Sequence, residues 1–329
     1  MQTSVRNDDN YLMANESLRI LFAGAGEFGV PALQALRGAG HQIVQIISQP
    51  DRPAGRGRKT TPTAIAEYAL LNNLPLLRTA NINAETLPLC DVLVVIAFGQ
   101  KIGSAVTNAA RLGSMNLHAS LLPKCRGAAP INWTIIRGET ITGNSIIRLA
   151  EKMDAGDILA QSRVQIGELE TAGELHDRLA EDGAPLLLST IAQLAAGKRL
   201  ETPQDHTLAT IAPKLSRADT VLDFSAASPA DLCLQIRGLY PWPGCRIELA
   251  DAAGQPLSRI TLVRARPARG EGVRWAAGEI TTDGHISVGD GTSSIEIVEL
   301  QPEGRKPMPL AAFRNGHPWL PGMRLESVK

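Results

Sequence analysis

Residues 113–133 read Gly113-Ser-Met-Asn116-Leu-His118-Ala-Ser120-Leu121-Leu122-Pro123-Lys-Cys125-Arg126-Gly127-Ala-Ala-Pro130-Ile-Asn-Trp133. Met115 and Leu117 alternate with Asn116 and His118, so the run suits a strand with both polar side chains on one face. Two hydrogen-bonding groups side by side at a strand end suit the stabilisation of a developing charge. Residues 120–123 break the strand, and Pro130 is placed to start a helix through Trp133 to Arg137. Strand, loop and helix in that order is where open α/β sheets put their ligand sites.

Upstream, residues 18–23 read as a buried first strand, and Gly24, Gly26 and Gly29 spell GxGxxG before a helical run over 30–37. That spacing alone is a dinucleotide fingerprint. A bound NAD would want an acidic residue at the end of the second strand, 43–48, and Gln49-Pro50 stands there instead. NAD is therefore not expected, and the glycines are read as allowing close packing of turn on helix. The basic loop DRPAGRGRKTT follows, with Arg52, Arg56, Arg58 and Lys59 among glycines and a proline. It reads as a solvated charge run or as a reach toward phosphate and RNA. A helix over 63–71 and a short edge strand over 74–77 come next. The continuous apolar run 91–97 has the pattern of a central parallel strand, with Phe98-Gly99 at its carboxyl end.

Downstream, residues 144–149 form another strand, and Met153-Asp154-Ala155-Gly156-Asp157 an acidic turn with too few oxygen ligands nearby for a metal. Thr171 and Glu174 have capping-box spacing at the head of one or two helices reaching residue 196, and His176 within them reads as structural or surface. Residues 198–218 have the composition of a linker, whose Lys214 and Arg217 are placed to touch RNA. From 219 a helix (228–237) precedes short runs at 245–249, 259–263, 277–280, 286–288 and 295–300, as in a small barrel. Arg264, Arg266, Arg269 and Arg274, with Arg305-Lys306, suggest one positive face.

The 329 residues suit two domains. Thirty-three basic and 33 acidic residues cancel, so any RNA must be met by local patches. Cys90, Cys125, Cys233 and Cys245 match no common zinc spacing and suit reduced thiols in a cytoplasm. Residues 1–17 read as an extension without signal-peptide character, and no apolar run has the length of a membrane span.

The pattern Asn116-x-His118-x-Ser120-Leu121-Leu122-Pro123, followed by Arg126-Gly127-Ala128-Ala129-Pro130, resembles the signature of formyltransferases that use 10-formyltetrahydrofolate. The loop Gln49 to Gly57 and the presence of a second domain resemble, within that family, the enzymes acting on methionyl initiator tRNA. The resemblance spans nearly all of the chain after about residue 17. It implies an α/β fold: a Rossmann-like, mostly parallel sheet without a nucleotide cofactor, followed by a small OB-like β-barrel. The implied division is an extension (1–17), a catalytic domain (18–197), a linker (198–218) and an RNA-binding barrel (219–329). Implied catalytic residues are Asn116, His118 and Asp154. Ser120, Leu121, Leu122, Pro123, Phe98 and Gly99 would meet the folate co-substrate, and Arg52, Arg56, Arg58 and Lys59 the tRNA. A cytoplasmic monomer free of metal and membrane is expected. Gln100-Lys101 departs from the family's apolar pair and is read as two solvated side chains on the next helix.

The alternatives are a folate-dependent formyltransferase for a small amine, an RNA-binding protein with a decayed catalytic domain, and a dehydrogenase resting on the glycines. In the first, the basic loop and the barrel lack an evident purpose. Intact Asn116, His118 and Asp154 argue against the second.

Overall fold

The computed structural model describes residues 17–54, 59–269, 273–289 and 291–328. They pack as two compact units, one from the described residues up to Asn116 with Ala184–Leu200, the other from Leu117–Gly183 with the residues from Glu201 onward.

In the first unit, β1 (Arg19–Gly24), β2 (Gln42–Ser48), β3 (Leu76–Arg78), β4 (Val92–Ile96) and the start of β5 (Ser114–His118) are hydrogen bonded in the order β5-β4-β1-β2-β3. Every pairing in that row is parallel. Parallel neighbours need crossovers, and α1 (Val30–Gly38) and α2 (Ala64–Leu71) supply them between β1, β2 and β3. All of β4 is buried, as its unbroken apolar run requires. Thr63 caps α2, its Oγ1 accepting from Ala66 N at 3.1 Å, so the helix expected from 63 begins one residue later. The GxGxxG glycines serve packing: a Cβ on Gly24 would lie 2.9 Å from Ile96 O, and one on Gly29 3.3 Å from Ile65.

The second unit holds an antiparallel pair, β6 (Ser145–Arg148) and β7 (Ile158–Gln161), and α3 (Pro130–Ile136). A single helix, α4 (Ala172–Ala195), continues past Pro185, its residues from Ala184 belonging to the first unit. Its head carries the expected capping box: Thr171 N donates to Glu174 Oε2 at 3.0 Å and Glu174 N to Thr171 Oγ1 at 3.3 Å. After α5 (Pro229–Leu239) come β8 (Cys245–Ala250), β9 (Pro256–Arg269), β10 (Ile286–Val288), β11 (Ser293–Pro302) and β12 (Arg324–Ser327), paired antiparallel in the order β10-β11-β9-β8-β12. Single bridges from Ile280 to Ile286 and from Glu279 to Arg324 join both edges, so the sheet nearly closes and few edge amides stay unpaired. Ile247, Ile260, Leu262, Ile286, Ile295 and Leu325 fill its interior.

Two readings of the second unit change. Residues 201–212, linker-like in composition, are docked: Ile211–Ala212 pairs in parallel with Arg126–Gly127. The expected positive face is partly neutralised, because β9 places acidic partners opposite its arginines. Arg264 donates to Glu299, Glu174 and Leu169 O at 2.6–2.8 Å, and Arg266 is paired at both ends with Glu296. Arg269, Arg274, Arg305 and Lys306 remain exposed. No helix among the described residues is long and apolar enough to cross a membrane.

Candidate active site

Asn116 and His118 are two residues apart on β5, which gives their side chains the same sense. The His118 ring is buried, with its side chain 6% exposed. Nε2 lies 2.9 Å from Cys125 O, and a carbonyl only accepts, so Nε2 carries the proton. Nδ1 is left, and it faces Asp154 Oδ2 at 3.8 Å. That is about 1 Å beyond a charge-assisted hydrogen bond, too short for an intervening water and open to closure by a small shift. The same Oδ2 accepts from Gly127 N at 2.9 Å. Asn116 is half-buried, and among the described residues its amide makes no side-chain hydrogen bond.

Asp154 adopts φ of 52° and Cys125 φ of 58°, left-handed conformations uncommon away from glycine. Both lie where the chain must turn sharply to present a group to His118. Neighbouring Gly156 is packed so closely that a Cβ would overlap Arg148 O.

Residues that sequence reasoning passed over complete the surroundings. Gln204, buried in the linker-like stretch, donates to Asp154 O at 2.9 Å and Gly156 O at 2.7 Å. Its Oε1 accepts from Arg126. Thr210 Oγ1 accepts from Cys125 N at 2.9 Å. Ser145, wholly buried, holds the loop of residues 120–123: its hydroxyl donates to Ser120 O at 2.6 Å and accepts from Leu122 N at 3.1 Å. Gln161 Nε2 adds a bond to Leu122 O at 3.0 Å. Only the motif neighbour Arg126 carried a signal in the sequence.

The family model for formyl transferase matches residues 18–191, and that for the formyl transferase C-terminal domain matches residues 214–318. Methionyl-tRNA formyltransferase of Moorella thermoacetica is 39% identical over 318 residues, covering 94% of this chain and 100% of the relative. That of Phenylobacterium zucineum is 39% identical over 315 residues, again 94% and 100%. The chain belongs to the methionyl-tRNA formyltransferase branch of the formyl transferase family. Solved structures share its fold at lower identity. An N-formyltransferase from Helicobacter canadensis, in complex with folinic acid and dTDP-3-aminofucose, superposes with TM-score 0.62 at 15% identity, covering 86% of this chain and 98% of that one. HypX from Aquifex aeolicus, in complex with tetrahydrofolic acid, gives 0.58 at 17%, covering 91% and 47%.

Leu122 is buried, and Leu121 and Pro123 are half-buried, so the loop offers apolar surface on a backbone held by Ser145. Phe98 is 2% exposed and its carbonyl accepts from Gln49 Nε2 at 2.9 Å; Gly99 is exposed with φ of 75°. Gln100 is not the solvated helix residue expected. It sits in a loop, half-buried, accepting from Ile82 N at 2.9 Å and donating to Thr79 O at 2.7 Å, because a glutamine can satisfy an unpaired amide and carbonyl at once. Lys101 is exposed. Arg52 is exposed beside Gln49, and Lys59 opens the short strand Lys59–Thr61. Arg56 and Arg58 lie outside the described residues.

Proposed function

We propose that this formyltransferase moves the formyl group of 10-formyltetrahydrofolate to the α-amino group of methionyl initiator tRNA, using Asn116, His118 and Asp154. The observation that carries the assignment of roles is the His118–Asp154 pair at 3.8 Å, with one ring nitrogen committed and the other facing the carboxylate. The folate supplies a formyl carbon bonded to a nitrogen that can leave. The α-amine titrates near ~8 and is nucleophilic enough without activation by serine or cysteine. The residues' tasks are to stabilise the oxyanion and to move one proton from the new ammonium to the leaving nitrogen.

Asn116 performs the first task with its uncommitted amide. With Nε2 given to Cys125 O, His118 has a single nitrogen left, Nδ1, and it serves the proton. Asp154 stabilises the imidazolium when Nδ1 is protonated. Gly127 N keeps the carboxylate in place meanwhile.

Further parts of the reading rest on separate observations. Ser120–Pro123, Phe98 and Gly99 meet the folate. Arg52, Arg56, Arg58 and Lys59 meet the tRNA, four cations in a chain of zero net charge. The division at 18–197 and 219–329 follows the apolar patterning. A monomer belongs to the same reading, and four buried free thiols suit a reducing cytoplasm.

The test incubates the full chain with 10-formyltetrahydrofolate and charged initiator tRNA and looks for formylmethionine after deacylation. Formylation of tRNA and none of an amino-sugar nucleotide supports the reading. The reverse result hands the chain to the small-amine class.

A further inference from the structure

We propose that Gln204 is a positioning residue that sets the Asp154 carboxylate against His118, an inference that rests on the formyl-transfer reading of that pair. Gln204 is 7% exposed and uses its full complement of hydrogen bonds. Its two donor hydrogens go to Asp154 O at 2.9 Å and Gly156 O at 2.7 Å. Its oxygen accepts from Arg126 Nε at 3.2 Å and Nη2 at 2.5 Å. An amide with two donors and two lone pairs has nothing left to offer a ligand, so its work is geometric.

The geometry closes a ring. Gly127 N grips the Asp154 carboxylate from one side. Its chain neighbour Arg126 grips Gln204, and Gln204 grips the Asp154 backbone carbonyl from the other. Main chain and side chain of one aspartate are thus both referred to the dipeptide Arg126–Gly127, whose own position is set by Ile211–Ala212. The restraint falls on the residue whose carboxylate faces His118 Nδ1, at a turn where the chain is left-handed with φ of 52°. Arg126 is 4% exposed, and its described partners are Gln204 and His206 Nδ1, neither a carboxylate. Burying a guanidinium against neutral partners costs stability, which marks the pair as kept for placement.

The test uses the full chain with Gln204→Met, which keeps the shape and removes all four bonds, and Gln204→Glu, which keeps the acceptor for Arg126 but turns an oxygen toward two carbonyls. Both should lower kcat by about 10- to 100-fold, the effect of displacing a reacting group by about 1 Å. KM for either substrate should move by less than about threefold, since uniform binding is untouched. The His118 ring resonances, followed by NMR on ring-labelled histidine, should move toward their positions in Asp154→Asn. Adding Gln204→Met to Asp154→Asn should cost no more than about twofold further, because residues acting as one unit are non-additive. Full additivity overturns the proposal, as does unchanged kcat in both Gln204 variants while Asp154→Asn is impaired. If neither variant folds, Gln204 holds the fold together instead and the proposal falls. A fully active Asp154→Asn would sink the formyl-transfer roles themselves, a result distinct from any of these.

Discussion

His118 can do one proton's work at a time, because Cys125 O already takes the hydrogen on Nε2. Asp154→Asn is the sharpest probe of the partnership. Asparagine tolerates the left-handed region as aspartate does, so the substitution removes charge without straining the turn. Turnover should fall by about 100-fold or more with the thermal midpoint unchanged, read by steady-state kinetics and calorimetry on one preparation. Asp154→Val should lose activity too, and also about 1–2 kcal/mol of stability from a β-branched residue at φ of 52°. Asn116→Ala removes a donor rather than a charge and should cost about 100- to 1000-fold in kcat. A loss under about tenfold would mean that its amide does not meet the oxyanion.

At the scale of elements, the short pairing of Arg126–Gly127 with Ile211–Ala212 ties the loop after β5 to a stretch far along the chain. It depends on Gly127, whose φ of 124° suits glycine and whose absent Cβ would lie 2.5 Å from Ala212 O. Gly127→Ala should therefore part the two strands while the barrel stays folded. Hydrogen exchange should speed up at Arg126 N and Ala129 N, which donate to Thr210 O and Ala212 O, and stay slow in the barrel. Turnover should drop with it, because the Asp154 carboxylate hangs on the Gly127 amide. Slow exchange with full activity would show that the pairing tolerates the methyl group.

For the whole molecule, charge placement matters more than the sum. Asp91 is buried at the head of β4 and accepts from Arg19 N at 2.8 Å and Arg111 Nε at 2.9 Å. The Arg19 backbone amide, ahead of the Arg111 and Arg19 side chains, holds its carboxyl down from 3.8 to about 2. A carboxyl depressed on folding adds stability above its unfolded value and loses it as pH falls toward the folded one, here on the order of 2 kcal/mol lost between about pH 5 and 2. Urea unfolding should show Asp91→Asn well below the parent at pH 7 and nearly level with it at pH 2. Neutralising Arg52 and Lys59 together should weaken tRNA binding and cut the salt slope by about 0.7–0.9 per lost phosphate contact. An unchanged slope would leave that loop as solvated surface.

The features legible in the sequence are those written in local periodicity. An unbroken apolar run forces β4 into a parallel sheet, since only a strand covered on both faces wants it. Alternation puts Asn116 and His118 on one side of β5, Thr171 and Glu174 cap α4 across three residues, and evenly spaced turns mark out the barrel. The Gly24 and Gly29 packing was legible too, once the missing acidic residue after β2 set nucleotide binding aside. Nothing local told which nitrogen of His118 is free, because that depends on a carbonyl presented by the left-handed turn at Cys125. Nor could composition show that a polar, proline-bearing stretch buries Gln204, since its partner Arg126 lies 78 positions away. Arg264 and Arg266 read as a positive face until antiparallel pairing set Glu299 and Glu296 beside them. Short-range order follows from the spacing of side chains along one backbone, whereas the commitment of each polar group is decided when distant segments meet and every buried donor must find an acceptor.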